Sequence, residues 1–464
     1  MKTKTIFIVI SRGFIIRNIL RSGVLDILVD HGMEVVLLFA NVRGKEFPNE
    51  IRTEFSGRVT IEVLPSDTMG NNFKERLYRK FTQLVSFLVY SPSTWIYSKS
   101  GTQRQLQRSK FLPYIQRLIY TPLSKISVLK KLARWIEDHI FYDGTYAHLF
   151  DTYRPMVVFS TSIVSKHDIE CMKEAKRRGI KTVSMCKGWD NITKILLRTL
   201  PDLMIVQNEG LKNDMERVQN FPRNHIAVTG FPQFDWYKRT EIIIPRAEFF
   251  AQLGLPADRR LLFFGSEGAW APDDDRIAET LAQWVNGSET LVRPCSLLVR
   301  PHFSDITNPR FNRFRGIPNV KLDDNYSFSD FFIDNWNPGV AETKFFVNCI
   351  YHSDMMIMVA STLALDAACL DKPVIGIGYN VLHRPNGEDV SRDLYETDHY
   401  RAVVQTQAIT MVYSDSELKS AVNNYLTNPT HNQAEREVLR KELCFRVDGN
   451  SSKRMAHNIM SLVK

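Results

Sequence analysis

Residues Asp354 to Asn380 read DMMIMVASTLALDAACLDKPVIGIGYN. The run from Met355 to Ala360 is apolar without interruption, the pattern of a strand covered on both faces of a parallel sheet. Ser361 or Thr362 can cap the next element. Leu363, Ala364, Leu365, Ala367, Ala368, Cys369 and Leu370 then form a helix apolar almost all round, as a helix pressed on a sheet would be. Asp371-Lys372-Pro373 stops that helix, and Val374 to Ile377 resumes as a second buried strand. Strand, tight turn, helix and strand together make a βαβ crossover of an open α/β sheet. Such sheets take ligands at the carboxyl ends of their strands. Here that end carries Ser361 and Thr362 at a helix N-terminus, where an anion gains roughly 0.3–1 kcal/mol. A nucleotide diphosphate fits that description; the alternative is that both hydroxyls serve only as caps.

Around this unit lies a chain of 464 residues, long enough for two or three domains, with the 44% hydrophobic and 24% charged content of a globular protein. No run approaches the ~18 apolar residues of a membrane span, and the start, MKTKTIFIVISRGF, is too soon interrupted by Arg12 for a signal peptide. The expected place is the cytoplasm, with peripheral attachment to the inner face of the membrane as an extension. Six cysteines are scattered singly, which argues against a zinc site and against a disulfide framework. The net charge of +9 is concentrated: residues 73–142 hold 13 Lys+Arg against three acids, a net of +10, leaving the rest near neutral.

Thr5–Ile10 is a strand, followed by Ser11-Arg12-Gly13, a helix through about Asp30 and a strand at Val35–Phe39; Val59–Leu64 adds a third strand. The G-x-G-x-x-G of a dinucleotide site is absent, which disfavours NAD or FAD here. From Phe73 to Phe150 the pattern changes to long amphipathic helices with basic and bulky apolar residues interleaved. Three readings stand: helices with a solvated basic face, a surface for anionic lipid head groups, or a nucleic-acid surface, although no nucleic-acid module accompanies the charge. For the lipid surface the contacts would be Arg76, Arg79, Lys80, Lys130, Lys131 and Arg134, beside Trp95 and Trp135. The α/β pattern returns at Met156, and polar, glycine-containing clusters follow successive strands, among them Lys187-Gly188-Trp189-Asp190-Asn191 and Asn208-Glu209. Residues 237–260, with Pro245 and Pro256, are expected to connect two domains, and 303–346 to be a loop-rich insertion. Helices close the chain.

Four motifs carry a family resemblance: Val228-Thr229-Gly230-x-Pro232-Gln233-Phe234-Asp235, Arg300-Pro301-His302, Ser361-Thr362-x3-Asp366-Ala367-x5-Pro373-Val374-Ile375, and Asp448-Gly449-x-Ser451-x2-Arg454. In these the chain resembles the GT-B glycosyltransferases of surface-polysaccharide pathways and the related CDP-glycerol glycerophosphotransferases. The resemblance covers about residues 156–464 at motif level, and the N-terminal part only in architecture. Where teichoic-acid polymerases carry His-Gly-Thr, this chain has Gly188-Trp189-Asp190, a departure that tells against glycerophosphate transfer.

The resemblance implies two Rossmann-like α/β domains facing across a cleft. Residues 1–236 would bind the acceptor and carry the basic helical insertion at 73–150; residues 261–464 would bind the nucleotide-sugar donor and end in helices. The implied function is metal-independent transfer of a sugar from a nucleotide sugar to a glycan or lipid-linked acceptor, with no cofactor beyond that co-substrate and no nucleic-acid partner. Transfer needs an anchored diphosphate, positive charge or N–H donors against the departing phosphate, and a base for the acceptor hydroxyl. Gly265, Ser266, Glu267, Ser361, Thr362 and Asp366 are the donor-side candidates, Asp366 for the ribose. Arg300 and His302 face the leaving group, and Asp190 is the candidate base, with His167 and Glu209 behind it. Ser11, Arg12, Gly13, Trp189 and Glu209 form the acceptor side. Asp273-Asp274-Asp275 reads as a helix cap rather than a metal site. The competing readings are a CDP-glycerol-type glycerophosphotransferase, a non-hydrolysing UDP-sugar 2-epimerase and, outside catalysis, a basic membrane- or nucleic-acid-docking adaptor.

Overall fold

The computed structural model describes residues 4–65, 73–91, 112–287, 291–305, 307–382 and 390–463. Trp95 lies outside them. The chain divides into two compact units, one of residues 1–233, 329–337 and 450–464, the other of 234–328 and 338–449.

The first unit is built on seven parallel strands: β1 (Thr5–Ile10), β2 (Glu34–Ala40), β3 (Thr60–Leu64), β4 (Val157–Ser160), β5 (Lys181–Met185), β6 (Leu203–Val206) and β7 (Ile226–Val228), in the order β3-β2-β1-β4-β5-β6-β7. β1 is buried along its whole length, which is why its sequence is an unbroken apolar run. Its alternate side chains feed two layers. Ile6, Ile8 and Ile10 pack with Leu25 and Leu28 of helix α1 (Val24–Asp30), while Phe7 and Val9 meet Leu149, Phe150 and Cys171 on the other face. The remaining helices used below are α2 (Phe73–Val85), α3 (Leu112–Leu123), α4 (Ser127–His139), α5 (Lys166–Arg177) and α6 (Glu209–Gln219).

The second unit holds six parallel strands, β8 (Arg260–Gly265), β9 (Cys295–Arg300), β10 (Val320–Leu322), β11 (Met355–Met358), β12 (Val374–Ile377) and β13 (Ile409–Val412), ordered β10-β9-β8-β11-β12-β13. Its helices include α7 (Arg246–Leu253), α8 (Asp274–Asn286), α9 (Val340–His352) and α10 (Leu363–Cys369). The unit β11-α10-β12 has the strand-helix-strand form expected of Asp354–Asn380.

Four boundaries differ from the sequence reading. The helix expected after β1 is instead a short turn (Gly13–Ile15), a π-helical stretch (Ile16–Leu20) and α1, which Gly23 at φ 120° separates from that stretch. Residues 237–260 are no free connection. They belong to the second unit, where Asn348 of α9 accepts from the Ile244 N–H and donates to the Ile242 carbonyl. The region 303–346 contains β10 and the start of α9. Two pieces of the sequence's second half belong to the first unit. Phe331 and Phe332 of segment 329–337, and Met455, Ala456 and Ile459 of the last helix (Ser451–Met460), lie in the same core layer as Ile6 and Ile8.

Candidate functional site

In the second unit the chain runs outward from β8 to β9 and β10, then returns to the other side of β8 with β11. The ends of β8 and β11 therefore flank the topological switch point, where open α/β sheets take ligands. Gly265, Arg300, Met358 and Gly376 form one row across the sheet, so the residues just beyond them share one edge. Gly265 lies against the start of α10: a Cβ there would come within 2.3 Å of Leu363 Cδ1, so the leucine side chain would have to shift. Ser266 is buried and sits in an ionic network. It accepts from the Gly268 N–H and from Arg310, which also pairs with Asp305 at 2.7 Å and Asp274 at 2.9 Å. Asp274, pushed up to about 7 by burial, accepts from the Glu267 N–H. Of the acidic run, Asp274 and Asp275 lie in the first turn of α8 and pair with Arg310 and Arg313; Asp273 at the N-cap position makes no capping bond.

His302 lies two residues beyond β9, half-buried. The Ser304 N–H (3.2 Å) and hydroxyl (2.7 Å) both approach its Nδ1. Nδ1 is then the acceptor, and the ring proton sits on Nε2. Burial pushes the pKa down to about 4, with Asp305 opposing and Arg310 assisting, so His302 is a neutral N–H donor at pH 7. Gly268, at φ 66°, comes so close that a Cβ would lie 2.7 Å from His302 Nδ1. Ser361 is buried at the end of β11, its Oγ 3.5 Å from the Leu363 N–H, whereas Thr362 is exposed and makes no capping bond. Asp366 accepts from the Tyr237 hydroxyl at 2.5 Å. Tyr400 donates to the Ser361 carbonyl and Tyr395 to that of Met358, both at 3.2 Å, and the charge of Glu267 bears on both phenols.

Arg300 departs from expectation. Its guanidinium turns inward, pairing with Asp323, with Glu342 at 3.7 Å, and stacking between Tyr326 and Phe346. Burial works against its charge, but Asp323, Tyr326 and Glu342 outweigh that and raise its pKa. It is 6% exposed, so it braces β9 and does not face a leaving group.

In the first unit the switch point lies between β1 and β4. Ser11 is buried beside it. The turn at Gly13 is filled from within: Asp334 accepts from the N–H groups of Gly13 (3.0 Å) and Phe14 (3.2 Å), and a Cβ on Gly13 would fall 1.6 Å from the Trp336 carbonyl oxygen. Val9, Ser160 and Ser184 pair in register, so Arg12 and Lys187 each follow an aligned strand by three residues, two strands apart, and the charge of Arg12 bears on Lys187. Both have lowered pKa values. For Arg12 the causes are burial, opposed by Asp334 and assisted by Arg43; for Lys187 they are burial, then Arg12, opposed by Asp190 and Asp334. Among the described residues neither side chain donates a hydrogen bond to the protein. Asp190 pairs with Lys194, and Trp189 is buried. Glu209 is exposed and 3.5 Å from Arg223, and His167 is buried against the Tyr146 hydroxyl.

Two of the sequence motifs meet each other here. Arg454 donates to the Thr229 carbonyl at 2.8 Å, and Gly230, at φ 83°, leaves room for Ser451. Among the described residues no group of three or more His, Cys, Asp or Glu could hold a metal ion.

Comparison of the fold places it. The chain superposes on the UDP-GlcNAc 2-epimerase of Neisseria meningitidis, solved with UDP-GlcNAc (TM-score 0.55, 10% identity, 99% of this chain and 100% of that one). The fold is of the GT-B type. A glycosyltransferase from Rickettsia africae matches at TM-score 0.52 and 9% identity over the whole of both chains. The wall teichoic acid polymerase TagF matches at 0.53 and 10%, over 99% of this chain and 89% of that one. No protein-family model and no curated protein sequence matches.

Proposed function

We propose that the chain is a glycosyltransferase that moves a sugar from a nucleotide-sugar donor, held at the switch point of the second unit, to a glycan or lipid-linked acceptor, without a metal. The observation that carries this reading is His302: a neutral imidazole that accepts from Ser304 through Nδ1 and so carries its proton on Nε2, two residues beyond β9 on the strand-end edge that also holds Glu267 and Ser361, is a donor suited to a departing phosphate. The hydroxyls of Ser361 and Thr362 are donors for the diphosphate, and Asp366, steadied by Tyr237, is the acceptor for the ribose. In the first unit Arg12 and Lys187 supply cations for an anionic group of the acceptor, and Asp190, held by Lys194, is the base for its hydroxyl.

Thermal unfolding with UDP, CDP, GDP and CMP tests the donor half. A ligand at 100 times its Kd stabilises by ~2.7 kcal/mol, and His302→Ala or Ser361→Ala should reduce that gain. No stabilisation by any of the four sinks the reading and favours the adaptor. Turnover that vanishes with a chelator removes the metal-independent part.

A second reading, a nucleotide-sugar 2-epimerase, is favoured by the whole-length similarity to three further structures described as UDP-GlcNAc 2-epimerases, at TM-scores of 0.52 to 0.55. Conversion of UDP-GlcNAc to its 2-epimer with no acceptor present, followed by proton NMR, would establish it.

A further inference from the structure

Helix α4 is built inside out. Its buried face carries Lys130, Arg134 and Glu137, while Val128, Leu132 and Trp135 point outward and are 67%, 51% and 53% exposed. The orientation is specified by bonds. Lys130 Nζ donates to the Val218 carbonyl at 2.6 Å, and Arg134 to those of Leu197 and Gln219, both at 2.9 Å, so both cations satisfy the carboxyl end of α6. Glu137 accepts from Tyr78, Lys173 and Arg198. These bonds correct the expectation that Lys130 and Arg134 face a lipid surface. They also fix α4 so that each residue of its apolar stripe stays half exposed or more, with Trp135 stacked on His139 of the same helix.

The neighbouring helices repeat the pattern: Phe73 and Leu84 of α2 and Leu118 of α3 are each 70% exposed or more. So many exposed bulky side chains within one segment, three of them along a single stripe of α4, exceed the scattered single residues that are normal on a protein surface. The exposed charge of the same segment has one sign. Lys74, Arg76, Lys80, Arg117, Lys125 and Lys131 are exposed and Arg79 is half-buried, while Glu137 is buried and Glu75 and Asp138 are half-buried. Every exposed Lys, Arg, Asp or Glu in the described part of 73–140 is therefore a cation.

We infer that this face docks on a bilayer containing anionic lipid. The cations would meet head groups while the Val128–Leu132–Trp135 stripe enters the acyl boundary, as in interfacial amphipathic helices. A second copy of the chain would set cations against cations. Nucleic acid would leave the apolar stripe uncovered.

Co-sedimentation of the full chain with vesicles of phosphatidylcholine, alone or mixed with phosphatidylglycerol, tests this without nucleotide and so independently of the proposed reaction. Binding should require the anionic lipid and fall with salt, since the Debye length is ~10 Å at 0.1 M. Each exposed cation is worth about fivefold in partition, so Lys74→Gln with Lys80→Gln should weaken binding about 25-fold. Leu132→Ser with Trp135→Ser should remove it while the unfolding temperature is kept. Three results overturn the inference: wild type that ignores anionic vesicles at low salt, equal binding to both vesicle types, or a concentration-dependent dimer that the Leu132/Trp135 variant dissolves.

Discussion

Gly13→Ala isolates the contact between β1 and segment 329–337. No left-handed backbone is involved at Gly13; what a methyl group meets is the Trp336 carbonyl oxygen at 1.6 Å and its carbon at 2.7 Å. Restoring an ordinary contact of 3.4 Å requires the segment to retreat by about 1.8 Å. Hydrogen bonds of 3.0 and 3.2 Å from Gly13 and Phe14 to Asp334 do not survive such a shift. Each is a bond to a charged group worth ~1.5–3 kcal/mol, so the loss is about 3–6 kcal/mol before any loosening of Phe331 and Phe332. Gly32→Ala is the control. Gly32 has φ 75° and nothing within 4 Å, so alanine there meets only the left-handed penalty of ~1–2 kcal/mol. Thermal unfolding by near-ultraviolet circular dichroism should show Gly13→Ala lower by about 6 °C or more, well below the control. Equal midpoints for the two variants would refute the close approach.

Three further outcomes follow from buried charges. Arg134→Ala should lower stability by ~1.5–3 kcal/mol in denaturant titration, because the carbonyls of Leu197 and Gln219 lose a charged donor, whereas Leu132→Ser on the opposite face should change it by under ~0.5 kcal/mol. Lys173→Met should destabilise by ~3–5 kcal/mol, since it takes from Glu170 the ion pair at 2.6 Å and from Glu137 one of its two cations, at 3.2 Å, with the Lys173 side chain itself fully buried; Glu137 keeps Arg198. His302, at about 4 in the folded state against 6.5 unfolded, stays neutral while the unfolded chain takes up a proton. Its effect is therefore absent above pH ~6.5 and grows as a destabilisation down to pH ~4, reaching on the order of 3 kcal/mol. Denaturation midpoints of wild type should fall more steeply than those of His302→Asn over that window, and parallel curves would disprove the shift.

The sheets were legible because parallel strands buried on both faces leave unbroken apolar runs, as in Thr5–Ile10 and Met355–Met358. Helix α9 was missed because Asn348, Glu342 and Thr343 interrupt its apolar pattern, although all three are buried and bonded. At the candidate site, Ser361, Glu267 and His302 end on one edge as strand-end reasoning predicts. Arg300 does not, because side-chain direction beyond a strand depends on partners such as Asp323 that lie 23 residues away. Lys187 was visible as a strand-end residue, but the action of Arg12's charge on it emerges only once β1, β4 and β5 are aligned. For α4, an apolar-out helix has the same periodicity as an apolar-in one. Only the bonds of Lys130 and Arg134 to α6 decide which face is inward.

The order in which the first unit is completed bears on synthesis in the cell. Its core layer under Ile6 and Ile8 closes with Met455 and Ile459, and residues 234–449 must be made in between. At ~5–20 residues per second, the ribosome delivers that last helix on the order of 10–40 s after residue 233. Throughout that interval the nascent first sheet carries an uncovered apolar face, an opening for chaperones and a hazard for aggregation. A fragment ending at residue 233 would carry the same exposed face permanently, so the first unit is to be studied within the full chain or with its two distant segments spliced back.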